Sequence, residues 1–449
     1  MNDTSKRLPV LGIAAASLVV LAMFVGPIGR WPWDHDEVQS LMEVGVAPLQ
    51  RYPGPLAQME RMGRLIPVWT VVQRTALKVL PVNEWGTRAV PAFLGALVVI
   101  AAVIAGFRAR GKWFGWALLT MMAGSQTLVW LSQQNRFYSL ALLWTTLSFL
   151  AAAVDDERPL YDVLAALCAS VAVLSHNLTL VIFGLAAIAG VVAWFMKWIS
   201  TSAARRLVIS AATTALIYLI YIRPLLGSWI SGGTGGTAPI VSFVAQVGVV
   251  PVALAALGCW QALINRTEGW LRWWVLLLVL GLAFVTTAPW TLKNWNPRYA
   301  LFFMPPIWVL AAAGTANVAE SLRPQFRAVW LLVVFAFLLP KLGSHFIDGS
   351  RHDFRSAAHI IARDAPHAAV MSDWPGELQY YLEPLTGQKA RYWEGAAAGD
   401  SPVVVALGTN AWEPPLTLPG RSVRLLGQVA RRRFDEQSHV VRVYLVDHK

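Results

Sequence analysis

Residues 8–28 read LPVLGIAAASLVVLAMFVGPI and run straight into GRWPWDHDE at 29–37. A hydrocarbon core about 30 Å thick takes about 20 apolar residues per helix, so the first stretch is long enough for one crossing. The run Trp33-Asp34-His35-Asp36-Glu37 then sets two or three carboxylates where the chain leaves the bilayer. Charge beside lipid is costly and needs a reason. A base or metal ligand there suits a reaction between a water-borne and a lipid-anchored partner. A plainer reading makes Asp34 and Glu37, three apart at the start of a predicted helix, an N-cap and its capping partner, but this leaves Asp36 unexplained. Asp36 is therefore the leading catalytic candidate, Glu37 the second and Asp34 an accessory.

Composition fixes the class. Of 449 residues, 56% are hydrophobic, 14% are charged and 22 are Trp, and the mean hydropathy is +0.51. No single water-soluble core could bury that much apolar chain. Cys168 and Cys259 both fall in apolar runs and read as small buried side chains. The net charge of +12 is scattered over loops, a pattern that favours membrane lipid phosphate over nucleic acid.

Counting windows of about 20 residues gives roughly eleven spans. Leu8 to Ile28 is followed by Ala89 to Phe107, Trp113 to Leu131, Phe137 to Val154, Tyr161 to Leu174 and Leu178 to Met196. Then come Leu207 to Leu226, Ile240 to Ala262, Trp273 to Pro289, Tyr299 to Ala316 and Val329 to Leu342. With Lys6 and Arg7 cytoplasmic, about thirteen basic residues of short loops share that side, against about four opposite. The first span lacks a small-x-small site before Trp31 and reads as a retained anchor rather than a signal peptide. The protein is expected in the plasma (inner) membrane, with the 29–88 loop and the tail extracytoplasmic.

The sequence divides into a membrane domain, 1–342, which includes that loop, and a small α/β domain, 343–449. Within the loop, Glu37 to Val46 and Leu56 to Leu80 have helical periodicity and suit the membrane surface, either as a lid or as a substrate guide. The tail alternates: helix Phe354 to Ala365, strand Ala368 to Ser372, helix Glu377 to Leu385, strand Val403 to Leu407 and strand Val440 to Val446. The predicted fold is thus mainly α, a polytopic helical bundle with a surface-helix loop and an α/β extracytoplasmic domain.

Several cations stand at outer helix ends against the charge bias: Arg88, Arg136, Arg223, Lys293 and Arg298. Each could simply snorkel. Taken together they suit an anionic headgroup, because a guanidinium fork matches phosphate oxygens. His176, in Leu174-Ser175-His176-Asn177, is either a site residue or an ordinary hydrogen-bonded turn residue.

These residues carry a resemblance. Asp36-Glu37, Arg88-Ala89-Val90-Pro91-Ala92-Phe93-Leu94-Gly95, Ser132-Gln133-Gln134-Asn135-Arg136-Phe137-Tyr138, Ser175-His176-Asn177, and Pro297-Arg298-Tyr299 with Pro305-Pro306 occur in order. Together they resemble the C-type fold membrane glycosyltransferases. The similarity is to the dolichyl-phosphate-mannose protein mannosyltransferase and lipid A aminoarabinose transferase branch, and the tail resembles the small extracytoplasmic domain of many members. The resemblance implies a polyprenyl-phosphate sugar donor, a first-loop base at Asp36 and a donor-phosphate arginine at Arg136. Arg298, Arg88 and Lys293 are further phosphate candidates, and His176, Tyr138 and Tyr299 possible accessories. Gln134 departs from the acidic residue that many relatives carry two positions before the arginine, which weakens any metal-ligand role there.

One base and one or two arginines are a sufficient minimum for displacing a lipid phosphate from a sugar, with inversion at the anomeric carbon. The energy-rich donor bond removes the need for ATP, and Ser231-Gly232-Gly233-Thr234-Gly235-Gly236-Thr237 has no following lysine to make a phosphate loop. No cofactor is implied beyond the lipid-linked sugar, and a divalent metal is left open. The expected acceptor is a protein, lipid or glycan. The alternative is a lipid or glycoconjugate transporter or flippase, but transporters put charge at the bilayer midplane in repeated halves, whereas these spans are nearly charge-free.

Overall fold

The computed structural model describes residues 10–33, 35–44, 64–154, 156–226, 239–264, 268–291, 301–348, 352–393, 402–410, 415–430 and 439–448; at a few positions, Asp36 among them, it describes the backbone alone. Among these residues, contacts divide the chain into two units. One comprises 10–26, 64–72 and 89–342, and the other 27–44, 73–88 and 343–448. The sequence reading kept the first loop with the membrane helices. By contacts, residues 27–44 and 73–88 group with the C-terminal elements: the Trp33 backbone N–H donates to Tyr381 Oη and Glu84 pairs with Arg355.

Among the described residues, the chain up to Asp348 is helical and includes all of the first unit. After α1 (Val10–Val25) come α2 (His35–Glu43) and α3 (Pro67–Ala76) in the loop region, then α4 (Glu84–Arg110), α5 (Lys112–Ala123), α6 (Gln126–Ser132), α7 (Tyr138–Ala153), α8 (Pro159–Ser175) and α9 (Thr179–Phe195). Next follow α10 (Thr201–Ile217), a π-helical turn at Tyr218–Ile222, α11 (Arg223–Leu226), α12 (Pro239–Val247), α13 (Val249–Ile264), α14 (Gly269–Thr291), α15 (Met304–Ser321) and α16 (Pro324–Asp348). Helix occupies each of the eleven apolar windows, and five segments are long and apolar enough to cross a membrane: Glu84–Arg110, Thr201–Leu225, Gly269–Ala288, Leu301–Ser321 and Pro324–Ile347. Two expected spans are interrupted. Ser125 starts a new helix by accepting the Leu128 N–H at 3.4 Å, and Gly248, at φ 94°, breaks the chain between α12 and α13.

Polarity runs opposite to that of a soluble protein. Large apolar side chains such as Leu18, Ile188, Phe195, Leu332 and Phe337 are exposed, while Ser148, Ser210, Thr214 and Arg206 are buried. Buried hydroxyls join helices: Ser148 Oγ donates to the Ala165 carbonyl at 2.9 Å and lies 3.2 Å from Ser210 Oγ, linking α7, α8 and α10. Lipid is as apolar as leucine, so helices associate through close packing and such bonds. A Cβ at Gly258 would collide with the Leu310 carbonyl, and one at Gly314 with that of Leu254.

In the second unit, α17 (Phe354–Asp364), β1 (Ala369–Ser372), α18 (Pro375–Thr386), β2 (Ala390–Tyr392), β3 (Val403–Asn410), β4 (Arg421–Ala430) and β5 (His439–His448) complete the chain. The sheet order is β2-β1-β3-β5-β4, with β1 parallel to β2 and β3, and the pairs β3–β5 and β5–β4 antiparallel. Phe354, Ala357, Ala358 and Ile361 form the i, i+3, i+4, i+7 stripe of α17 and pack with Leu378, Leu382, Val404, Ala406, Val441 and Val443. Asp353 caps α17 by accepting the Ser356 N–H at 3.0 Å. Asp373, just past β1, accepts the Gly408 N–H at 3.1 Å, and burial pushes its pKa up to about 6.

Gly258→Leu is expected to abolish recovery of folded, monodisperse protein, because the carbonyl it meets belongs to helix backbone. Gly184→Leu, where an added Cβ meets nothing within 4 Å, is expected to purify and melt like the parent. Size-exclusion chromatography with thermal melting checks both.

Candidate active site

The chain leaving α1 wraps around one guanidinium. Arg88, at the head of α4, donates Nε and Nη2 to the two oxygens of Glu37 at 2.7 Å each. Its remaining N–H groups go to the carbonyls of Ile28 at 2.7 Å, Trp31 at 2.8 Å and Pro32 at 2.8 Å. Both side chains are fully buried. A guanidinium has five N–H donors, and all five are used here. Arg88 is therefore not left with a fork for a donor phosphate, and Glu37 serves as its counter-ion rather than as a base. A buried charge needs a partner, and each of these residues is the other's.

The residue ahead of the acidic run is held just as firmly. Trp33 donates its backbone N–H to Tyr381 Oη at 2.9 Å and its indole N–H to Thr87 Oγ1 at 3.2 Å, and its ring lies 4.1 Å from that of Tyr380. Thr87 in turn offers its carbonyl to Gln73 Nε2 at 2.7 Å. Glu84 accepts from Arg355 and, at 2.9 Å, from the Tyr381 hydroxyl. Burial first, then the Glu84 charge, drives the Tyr381 phenol far above its ordinary pKa. Asp36 sits in the first turn of α2, one residue before Glu37. Its side chain, and Asp34 altogether, lie outside the described residues.

A second constellation lies within the helical unit, at the turn from α6 to α7. Gln133, Gln134 and Asn135 are completely buried, and Arg136 is 9% exposed. Gln133 Nε2 donates to the carbonyls of Met23 at 3.0 Å and Phe24 at 2.9 Å, which pins the turn to the end of α1. Gly95 lets α4 approach, since a Cβ there would strike Ser132 Oγ. The Arg136 guanidinium lies 5.0 Å from the centre of the Phe137 ring.

His176, in the turn between α8 and α9, joins this group. Its ring is 4.5 Å from Phe137, 6.0 Å from Tyr138 and 4.9 Å from Phe302. Its Nδ1 accepts the Leu178 N–H at 3.1 Å. Burial, with the Arg136 charge adding to it, pushes its pKa down to about 3, so the ring is neutral at physiological pH. The turn offers one guanidinium on an aromatic platform in a desolvated setting, suited to one anionic group. Lys293, Arg298 and Tyr299 lie outside the described residues. Among the described residues, no three His, Cys, Asp or Glu side chains gather as metal ligands.

No family model matches the sequence, and no curated protein does. Solved structures do. The apo crystal structure of ArnT from Cupriavidus metallidurans superposes with a TM-score of 0.56 at 13% identity, covering 96% of this chain and 97% of that one. The same protein bound to undecaprenyl phosphate gives 0.55, with the same identity and coverage. The Archaeoglobus fulgidus oligosaccharyltransferase tethered with an acceptor peptide gives 0.53 at 11% identity, over 85% of this chain and 63% of that one. This chain has the C-type membrane glycosyltransferase fold.

Within this C-type fold, sequence motifs and structural roles coincide unevenly. Arg136 and Tyr138, neighbours in one turn, share a cluster of rings and charge with His176, which is distant along the chain. The sequence reading missed Trp33, Thr87, Tyr381 and Gln133, which hold the surrounding loops. Trp33 and Gln133 lay in quoted stretches without a role of their own, and nothing in a single sequence pairs Trp33 with a tyrosine 348 residues away.

Arg88→Met is expected to destabilise the protein by about 3–5 kcal/mol, because it strands a buried carboxylate. Adding Glu37→Leu to it should recover most of the loss, as read by melting in detergent. For His176, whose folded pKa lies below its ordinary 6.5, the stabilisation is complete above about pH 6.5 and is lost as pH falls toward about 3. Between about pH 7 and about pH 5, the melting temperature of the parent should therefore fall more than that of His176→Asn.

Proposed function

We propose that the protein is an integral-membrane glycosyltransferase that moves a sugar from a polyprenyl-phosphate donor to an extracytoplasmic acceptor, protein, lipid or glycan, with inversion. The observation that carries this reading is the C-type fold, shared over nearly the whole length of ArnT, whose structure holds undecaprenyl phosphate. The buried Arg136 turn supports it as a place for a phosphate.

In the proposed step the acceptor hydroxyl oxygen attacks the anomeric carbon and the bond from that carbon to the phosphate oxygen breaks. The lipid phosphate leaves with the bonding pair. Asp36 takes the hydroxyl proton, and Arg136 balances the charge that grows on the leaving phosphate. Lys293 and Arg298 are proposed to assist at the phosphate, and Tyr138 and Tyr299 to line the site. The pairing of Glu37 with Arg88 favours Asp36 as base, because it commits the neighbouring carboxylate to a structural role. The active site and the C-terminal domain are proposed to face away from the cytoplasm of a plasma (inner) membrane.

Reconstituted protein supplied with radiolabelled polyprenyl-phosphate sugars is expected to release polyprenyl phosphate in step with labelled product. Asp36→Asn should lower turnover by about 100- to 10,000-fold with unchanged melting, and Arg136→Ala by about 100- to 1,000-fold. Turnover by Asp36→Asn within about tenfold of the parent would remove the aspartate from the base role.

A further inference from the structure

The Arg136 turn contains two adjacent glutamines, both completely buried, that are treated differently by the fold. Gln133 gives its amide N–H groups to the Met23 and Phe24 carbonyls and so ties two helices. Among the described residues, neither the amide oxygen nor the amide nitrogen of Gln134 has a hydrogen-bond partner, and the same holds for the hydroxyls of Ser132 and Ser139. A buried polar group without a partner is costly, and native proteins pair nearly all of them. A methionine would fill the same volume without that cost. The unmet amide therefore signals a ligand, and its chemistry says which kind.

We propose that Gln134 binds the sugar of the donor rather than its phosphate. An ionised phosphate only accepts hydrogen bonds. It could satisfy the Gln134 amide nitrogen but would leave the amide oxygen without a donor. A sugar hydroxyl donates and accepts at once, so one or two hydroxyls complete both atoms of the amide. Ser132, at the end of α6, and Ser139, in the first turn of α7, bring two further unpartnered hydroxyls close to Gln134 in sequence. Arg136, two residues on, supplies the cation for the phosphate. The turn thus divides one ligand chemically: guanidinium for the anion, neutral amide and hydroxyls for the pyranose or furanose ring. This inference rests on the donor reading proposed above.

Two probes separate them in the full-length, detergent-solubilised protein. Undecaprenyl phosphate tests the anion alone, and undecaprenyl-phosphate mannose, glucose and arabinose add the sugar; affinities are read by native mass spectrometry. The parent is expected to bind at least one sugar lipid more tightly than the bare lipid phosphate. Gln134→Met should weaken that sugar lipid roughly ten- to hundredfold while leaving undecaprenyl phosphate within about twofold. Arg136→Ala should weaken both. Gln134→Asn, which keeps the amide but draws it back by one methylene, should show the same selective loss, so the result stands if the methionine variant folds poorly. Equal affinity of the variants and the parent for the sugar lipid would mean that an ordered water satisfies the amide, and would overturn the inference. So would a parent that gains nothing from any of the sugars, or an equal loss for both classes of lipid. Failure of the parent to bind either class would instead overturn the donor reading itself.

Discussion

One bidentate ion pair organises the region where the chain leaves its first helix. Arg88 and Glu37 are both wholly removed from solvent, and three carbonyls between residues 28 and 32 complete the guanidinium. Removing both charges from water is expensive, and only a full set of charge-assisted bonds offsets it. The strand of residues from Ile28 to Pro32 cannot shift without losing acceptors that the arginine needs. The backbone of Asp36 follows directly, so the helix that carries the proposed base begins from a fixed start. A short acidic run is thereby split into different duties: Glu37 holds the loop in shape, and Asp36 is the carboxylate proposed for chemistry.

The helical unit follows from a different constraint. Its outward side chains are apolar and its inward ones include serine, threonine, glutamine and arginine, the arrangement that a lipid solvent selects. Glycines at 95, 258 and 314 let helices meet at distances that a methyl group would forbid. Arg206 is buried with Asp162, at 3.0 Å, and with the Val154 and Asp156 carbonyls. Buried polar groups such as Arg206, Ser148 and Gln133 are answered by acceptors on neighbouring elements, whereas neither atom of the Gln134 amide is.

Much of this was legible in the residues. Each apolar window holds helix among the described residues, five segments being long and apolar enough to cross a membrane, because length and hydropathy are local properties, and α17, β1, α18, β3 and β5 fell close to their expected limits. Two strands were not expected. Ala390–Tyr392 is only three residues long, and Arg421–Ala430 lies beside β5 alone with a bulge between Leu425 and Gly427 that breaks its alternation. The breaks at Ser125 and Gly248 were hidden inside otherwise continuous apolar runs. Among site residues, the arginine and histidine turns were visible as motifs, but nothing in the motif pattern shows that the Arg88 guanidinium is already saturated by Glu37 and three carbonyls.

The bond from Trp33 to Tyr381 spans 348 positions of the chain. A ribosome that has just inserted the early helices has produced the tryptophan long before its tyrosine partner exists. The segment next to the proposed base therefore reaches its final form among the last events of biogenesis, after nearly the whole bundle has been made. A nascent chain that ends before residue 381 contains the early helices but lacks the tyrosine hydroxyl that the Trp33 N–H meets.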